Sequence, residues 1–215
     1  MSIFKNISKQ EYRHIVYNSI MYPWVHSFVN LDGWTPSHIG TGGFIAGYPV
    51  GTFYTGATSA SRALAYSSSI FLSGGGGLET YFKTRVSPRD ALAHQNSFML
   101  VGFIDTPTSP LATAVQVSFR FFNGDIFVCC ANGATGTLID TGVNYSQFGS
   151  YDLSFFYRTG AVDFVVDNLT GNPITTTITT DVPNNQAAIP TMYLSNSAAQ
   201  DKQMWLYPMI IMQGK

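Results

Sequence analysis

Alternation of apolar and polar residues restricts the fold of this chain more than any other feature. Residues 115–121, 151–158 and 162–167 place apolar side chains at every second position, and residues 78–86 place apolar or threonine side chains there. A period of two belongs to a β-strand, in which successive side chains point to opposite faces of a sheet. The residues expected to point into a core are Phe82, Val117, Phe119, Leu153, Phe155, Phe164 and Val166.

Short turn sequences separate the predicted strands. Asn123 and Gly124 stand between two of them, and Asn-Gly strongly favours a two-residue hairpin turn. Residues 168–171 form a second turn, and residues 98–104 are a short apolar run typical of a buried strand. With about eleven strands and no long internal helix, the chain is expected to be all-β, folded as a two-sheet antiparallel sandwich.

The charge balance argues against a nucleic-acid partner. Lys and Arg total 11 and Asp and Glu total 12, for a net charge of -1, whereas phosphate binding needs clustered basic residues. Charged residues are only 11% of the chain, against roughly 25% in an average soluble domain. Such a low fraction indicates a surface partly covered by partners. No apolar run reaches the roughly 18 residues of a membrane helix, so no membrane partner is expected.

Residues 1–30 have a different character, and the sequence predicts an N-terminal arm followed by a single domain over residues 31–215. Ser8 and Glu11 have the spacing of a helix-capping box, which favours a short helix, and Pro23 would end it. The start of the chain lacks the apolar core of a signal peptide, so synthesis without export is expected. The aromatic residues expected to anchor the arm on a neighbouring subunit are Tyr12, Tyr17, Tyr22, Trp24 and Phe28.

The order of strands and turns resembles the concanavalin A-like lectin/glucanase jelly-roll superfamily over roughly residues 40–213. The resemblance rests on residues 78–103 for the early strands, and on residues 151–168, 190–196 and 204–207 for the back half. It implies a jelly-roll sandwich. Members of the superfamily include lectins, glycosidases, carbohydrate-binding modules and bacteriophage structural proteins, so the fold alone does not select a function.

The sequence lacks the acids of a glycosidase of this superfamily. Family 16-type glucanases carry two glutamates and an aspartate spaced two apart on one strand, which places the carboxylates on one face. This chain has two glutamates, Glu11 in the arm and Glu79 alone on its strand. Asp163 and Asp167 share a strand face but are separated by Val165, and they are expected to face solvent. We therefore predict no catalytic residues and no cofactor.

Metal binding is not expected either. Legume-type lectins hold calcium with closely spaced Asp and Asn residues, but Asp167-Asn168 and Asn123-Gly124-Asp125 fit hairpin turns better. The histidines are scattered. Cys129 and Cys130 are adjacent, a poor geometry for an ordinary disulfide, and we expect one buried and one partly exposed thiol in a reducing compartment.

Three classes of function stay open. The leading hypothesis is a virion structural protein, a head decoration or cement protein of a tailed bacteriophage, which would be located in the virion. Its partners would be capsid proteins and copies of itself, with a trimer as one option. The second is a receptor-binding fibre module that binds a surface glycan. The third is an isolated carbohydrate-binding module or degenerate hydrolase. The aromatic residues that could stack on a sugar are Trp34, Tyr48 and Tyr54.

Overall fold

The computed structural model describes residues 22–26, 34–45, 50–67, 79–89, 97–108, 110 and 113–214, with the backbone alone for 22–26, 97 and 214. These residues form strands, turns and loops, and none of them forms a helix of the length and apolarity needed to cross a membrane. The strands are β1 (Tyr22–His26), β2 (Trp34–Ile39), β3 (Gly43–Ile45), β4 (Gly51–Tyr54), β5 (Arg62–Ser67), β6 (Glu79–Pro88), β7 (Ser97–Ile104), β8 (Gln116–Phe122), β9 (Asp125–Ala131), β10 (Gly136–Asn144), β11 (Tyr151–Arg158), β12 (Ala161–Asp167), β13 (Ile174–Ile178), β14 (Ile189–Asn196), β15 (Gln203–Leu206) and β16 (Met209–Gly214).

The strands pair into two antiparallel sheets. Sheet A has the order β13-β12-β11-β6-β15-β4-β3, and β16 also pairs with β6 and carries β1 on its other side. Sheet B has the order β10-β9-β8-β7-β14-β5-β2. The fold is an all-β sandwich of two antiparallel sheets, as the alternation predicted, and a jelly roll, as the resemblance implied.

The strand count differs from the expectation of about eleven, because sixteen strands are present in the described residues. Residues 34–67 contribute four short strands whose glycine and proline residues hide the alternation. Residues 204–212 were expected to form one strand but form parts of two, with Pro208 between them. Proline cannot donate to a strand ladder, so it separates the pairing of β15 from that of β16.

Aromatic rings fill the space between the sheets. All seven residues expected to point inward are at most 1% exposed, which confirms the prediction. Phe155 lies near the centre of the core, with its ring centroid 4.9 Å from that of Phe82 and 5.6 Å from that of Phe103. Phe164 contacts it from the neighbouring strand, at 5.7 Å between centroids. Such pairs add stability beyond the area that they bury.

The hairpin between β8 and β9 turns where the sequence predicts it. Asn123 and Gly124 have φ angles of 52° and 95°, the left-handed conformations that a tight two-residue turn requires. The Asp167-Asn168 segment is also a turn: the Asp167 carboxylate accepts a hydrogen bond from the Leu169 N–H at 2.7 Å. Both segments therefore use their polar side chains locally, as the turn interpretation predicted.

One buried amide connects the two sheets at one end of the sandwich. Asn196, at the end of β14 in sheet B, is 4% exposed. Its Nδ2 lies 3.0 Å from Thr55 Oγ1, 3.1 Å from the Gly56 carbonyl and 2.8 Å from the Gln200 carbonyl. Its Oδ1 accepts from the Ser61 N–H at 2.9 Å. Thr55 follows β4 and Gln200 precedes β15, so this side chain holds loops of sheet A against sheet B.

The two cysteines correct one prediction. Cys129 and Cys130 are both free thiols and both buried, at 1% and 0% exposure. Cys130 packs in the core between the sheets, and Cys129 points to the outer face of sheet B. One of the two thiols was expected to be partly exposed, and neither is. That face is covered, so burial raises the pKa of Cys129 to about 11, and it raises the pKa of Cys130 as well.

Candidate functional site

The outer face of sheet B carries three polar residues in consecutive outward positions of β8. Gln116, Ser118 and Arg120 alternate with core residues and are 0%, 0% and 8% exposed. The Gln116 Oε1 accepts from Ser118 Oγ at 2.8 Å, and from the Nη2 and Nε of Arg120 at 2.8 and 3.1 Å. The three side chains therefore form one hydrogen-bonded row, in which the amide orients the cation.

Apolar groups surround this row. The Cζ of Arg120 lies 5.2 Å from the centroid of the Phe98 ring. Leu100 lies opposite Arg120 in the pairing of β7 with β8, and Tyr193 lies opposite Leu100 on β14. Burial among these groups lowers the pKa of the Arg120 guanidinium, because the charged form loses hydration. The covered row has no acid–base pair: its members are an amide, a hydroxyl and a cation.

A second polar and aromatic group lies on the outer face of sheet A, and it is accessible. We call it the Phe148 patch, and it consists of Phe148, Arg89 and Trp205. The Arg89 guanidinium contacts both rings, with its Cζ 3.5 Å from the Trp205 centroid and 4.9 Å from the Phe148 centroid. Phe148 is 58% exposed, while Trp205 and Arg89 are half-buried. An exposed aromatic ring is thus supported from below by a cation and a second ring.

The backbone holds Phe148 in an unusual conformation. Its φ angle is 59°, in the left-handed region that bulky side chains rarely adopt. Its N–H donates to the Pro88 carbonyl at 2.8 Å, and the Ser87 Oγ donates to the Gly149 carbonyl at 2.6 Å. Strain of this kind costs on the order of 1–3 kcal/mol and is concentrated at functional sites. The strained position keeps the aromatic ring facing outward.

Arg89 in this patch is fixed by stacking rather than by an ion pair. The Nη1 of Arg89 donates to Ser87 Oγ at 3.4 Å, and its main-chain N–H donates to the Gln203 carbonyl at 3.0 Å. Among the described residues, no hydrogen-bond partner lies at its buried Nε. The guanidinium is therefore held mainly by its contacts with the Trp205 and Phe148 rings.

The structure describes two of the three predicted sugar-stacking residues, Trp34 and Tyr54. Trp34 is 6% exposed and packs in the core cluster, which leaves no ring face open to a sugar and corrects that prediction. Tyr54 is half-buried, and its hydroxyl lies 2.5 Å from where a Cβ on Gly43 would be, so its ring covers the glycine. Tyr48 lies outside the described residues.

The arm residues are described only in part. Tyr12, Tyr17 and Phe28 lie outside the described residues, as does the expected short helix. Tyr22 and Trp24 belong to β1, whose register places Trp24 opposite Ile211 of β16 in the same chain. This stretch of the arm thus extends sheet A. Contact of the arm with a second subunit stays a prediction.

The aspartates that the sequence singled out have structural partners. Asp163 was expected to face solvent, but it is 8% exposed. The Arg158 Nη1 donates to its Oδ2 at 2.6 Å, and the Thr177 Oγ1 donates to its Oδ1 at 2.7 Å. Its neighbours on sheet A cover it, which alternation alone does not reveal. In the part of the chain that the structure describes, no three His, Cys, Asp or Glu side chains group together as metal ligands would.

The sequence analysis missed Phe148, Arg89 and Trp205. A signal for Trp205 was available, because it alternates with the core residues Met204 and Leu206 and must therefore point outward. Phe148 had no such signal, since its position depends on a hydrogen bond to Pro88, far away in the sequence.

Comparisons with known proteins support the fold. No protein-family model and no curated protein sequence matches the chain. A Lotus tetragonolobus seed lectin is similar in structure, with a TM-score of 0.65 and 8% identity, over 90% of this chain and 98% of the lectin. A native glycosidic hydrolase has a TM-score of 0.63 and 13% identity, over 88% of this chain and 94% of the hydrolase. A protein of unknown function from Shewanella oneidensis MR-1 has a TM-score of 0.64 and 12% identity, over 97% of this chain and 94% of that protein. The fold is therefore the concanavalin A-like jelly roll found in legume lectins.

Proposed function

We propose that the protein is a non-enzymatic glycan-binding module whose contact point is the Phe148 patch. The observation that carries this proposal is the exposed Phe148 ring, held in a left-handed conformation on the Arg89–Trp205 stack. Aromatic rings bind sugars by stacking against the apolar C–H face of a pyranose. A ring that is both exposed and rigid binds at a lower entropic cost than a mobile side chain.

The composition of sheet B supports the non-enzymatic part of the proposal. Hydrolysis by a glucanase on this fold requires carboxylates at alternate positions of one strand. The outward positions of β8 instead carry Gln116, Ser118 and Arg120, which bind one another. None of the three supplies a carboxylic acid or a carboxylate nucleophile.

Similar structures agree with sugar binding without deciding it. They include a Lotus tetragonolobus seed lectin, peanut lectin and the Emp47p carbohydrate recognition domain, at 8–10% identity. At that identity the likeness supports the fold, and the binding function rests on the Phe148 patch.

A glycan array followed by calorimetry on the strongest ligand tests the proposal. Phe148→Ala should weaken binding at least tenfold, because the stacking surface is lost. Leu169→Ala is the matched control, since Leu169 is also apolar and exposed (46%) and has a φ of 63°. If no glycan binds, or if both variants bind like the wild type, the proposal is wrong.

A capsid decoration protein of a tailed bacteriophage is the second candidate. It is favoured by the exposed apolar side chains on the edge strands, where Ile39 and Ile45 are 47% and 59% exposed on one flank. Exposed apolar residues on strand edges are suited to a protein partner. Electron microscopy of purified particles, with and without the protein added, tests this candidate through extra density on the shell.

A further inference from the structure

Arg89 differs from two other arginines on the outer face of sheet A. Arg85 donates to both carboxylate oxygens of Asp152, and Arg158 donates to Asp163 at 2.6 Å. Arg89 forms no ion pair with any carboxylate in the part of the chain that the structure describes. The Phe148 patch therefore contains a cation whose charge is not matched by a direct partner among these residues.

Most N–H donors of the Arg89 guanidinium are also unused within the described residues. One of them, at Nη1, reaches the Ser87 Oγ at 3.4 Å, which is long for a hydrogen bond. The Nε and Nη2 donate to no group in the same residues. The contacts with Trp205 and Phe148 stabilise the charge but supply no acceptor oxygen. The guanidinium thus has donors available for an oxygen ligand.

The acid closest in sequence to Trp205 has partners of its own. Asp201 accepts from the Gly56 N–H at 2.8 Å through Oδ1, and from Gln203 Nε2 at 2.9 Å through Oδ2. Asp90 follows directly after Arg89 in the chain and lies outside the described residues. Both oxygens of Asp201 are therefore engaged away from the guanidinium.

A carboxylate is the ligand group that best matches such a guanidinium. Its two oxygens lie in one plane and accept parallel hydrogen bonds from the planar N–H fork, and these charge-assisted bonds are stronger than neutral ones. The Arg89 Cζ lies 4.9 Å from the centroid of the Phe148 ring. This separation is comparable with the width of a pyranose ring, so one sugar unit can stack on Phe148 and place a ring-bound carboxylate at Arg89.

We propose that the glycan bound at the Phe148 patch carries a carboxylate, which Arg89 binds while Phe148 stacks on the same sugar unit. This proposal rests on the glycan-binding function proposed above and names the class of sugar. The chain as a whole has a net charge of -1 and exerts no general attraction on polyanions. Preference for an acidic sugar must therefore come from this local contact.

Matched pairs of ligands test the proposal. Oligosaccharides of glucuronic and galacturonic acid, and sialyllactose, are each compared by calorimetry with the carboxyl-reduced counterpart, in which a hydroxymethyl group replaces the carboxylate. The wild type should bind at least one acid about tenfold or more tighter than its neutral counterpart, because a charge-assisted hydrogen bond is lost. This preference should decrease as salt is added, since salt screens partly exposed charges.

Arg89→Gln separates recognition of the carboxylate from support of the aromatic ring. The ratio of acid to neutral affinity should fall to about one in this variant. A purely structural effect on Phe148 would weaken both ligands equally and leave the ratio unchanged. Phe148→Ala should weaken both ligands. Arg62→Gln is the matched control: it removes the same charge from sheet B, where Arg62 Nη1 donates to the Thr108 carbonyl at 3.1 Å, and it should keep the wild-type ratio.

The outcomes distinguish this proposal from the function on which it rests. If neutral sugars bind as tightly as acidic ones and Phe148→Ala weakens them, the glycan site stands and the carboxylate is wrong. An acid preference that persists in Arg89→Gln, or a stronger preference for sulfated sugars, would also overturn the proposal. If no sugar binds, both proposals are wrong. Melting curves check each variant, and Arg89→Lys replaces Arg89→Gln if that variant unfolds; it keeps the charge without the planar fork and should lower the ratio.

Discussion

Replacement of Asn196 tests how the two sheets are held together at one end of the sandwich. The Asn196 amide has two N–H donors shared among Thr55, Gly56 and Gln200, and one oxygen that accepts from Ser61. It therefore makes about three effective hydrogen bonds, each with a net contribution of about 1 kcal/mol. Asn196→Ala should lower the free energy of unfolding by about 3 kcal/mol, a large part of the 5–15 kcal/mol typical of a domain.

Asn196→Asp separates hydrogen bonding from shape. The aspartate has the size of asparagine, but its carboxylate places a second oxygen against the Gly56 and Gln200 carbonyls. Burial and these oxygens favour the protonated acid, so its pKa in the folded state should exceed the unfolded value of about 3.9. A raised folded pKa means that stability is retained below the unfolded pKa and is lost as pH rises through the folded pKa. The variant should therefore be closer to the wild type at pH 4 than at pH 7.

Urea unfolding followed by tryptophan fluorescence at both pH values measures these differences. Asn168→Ala is the control, since Asn168 is exposed and its side chain bonds within its own turn, to Thr170. It should cost no more than about 1 kcal/mol. If Asn196→Ala costs no more than this control, or if Asn196→Asp is as stable as the wild type at pH 7, the amide does not connect the sheets as described.

Four further predictions address the core, the thiols and the arm. Phe155→Ala should lower the free energy of unfolding by about 3–5 kcal/mol, and Phe122→Ala, at 50% exposure, by less than about 1 kcal/mol in the same urea assay; equal losses would contradict the assigned core. The two thiols should resist a disulfide reagent at pH 8 until urea unfolds the chain, and rapid labelling of the folded protein would refute their burial. Because the pKa of Cys129 rises from 9.0 to about 11, thermal stability should fall as pH rises through this interval, and Cys129→Ala should reduce that fall. Trp24→Ala should weaken association by about 2 kcal/mol if the arm contacts a second subunit, and a variant that assembles at the wild-type concentration would place the arm within its own domain.

Alternation predicted the sandwich because it indicates which side of each strand must be buried. It predicted the inward direction of Phe82, Phe119 and Phe155 correctly, since every second residue on those strands is apolar or a threonine. It does not record whether the other side is covered. Cys129 and Asp163 both point away from the core, and both are buried by neighbours on the outer faces. Coverage of an outer face depends on residues distant in sequence, so a local pattern misses it.

The Phe148 patch was unpredictable for a related reason. Its three residues come from the position just after β6, the turn before β11 and the middle of β15, which the sheet order brings together. A phenylalanine in a left-handed conformation contradicts its local preference, and a hydrogen bond to the distant Pro88 carbonyl helps to hold it there. Sequence reasoning instead selected Trp34, whose ring lies in the core, because an aromatic residue in a glycine-rich segment looks exposed. Burial of an aromatic ring is a property of the whole sheet.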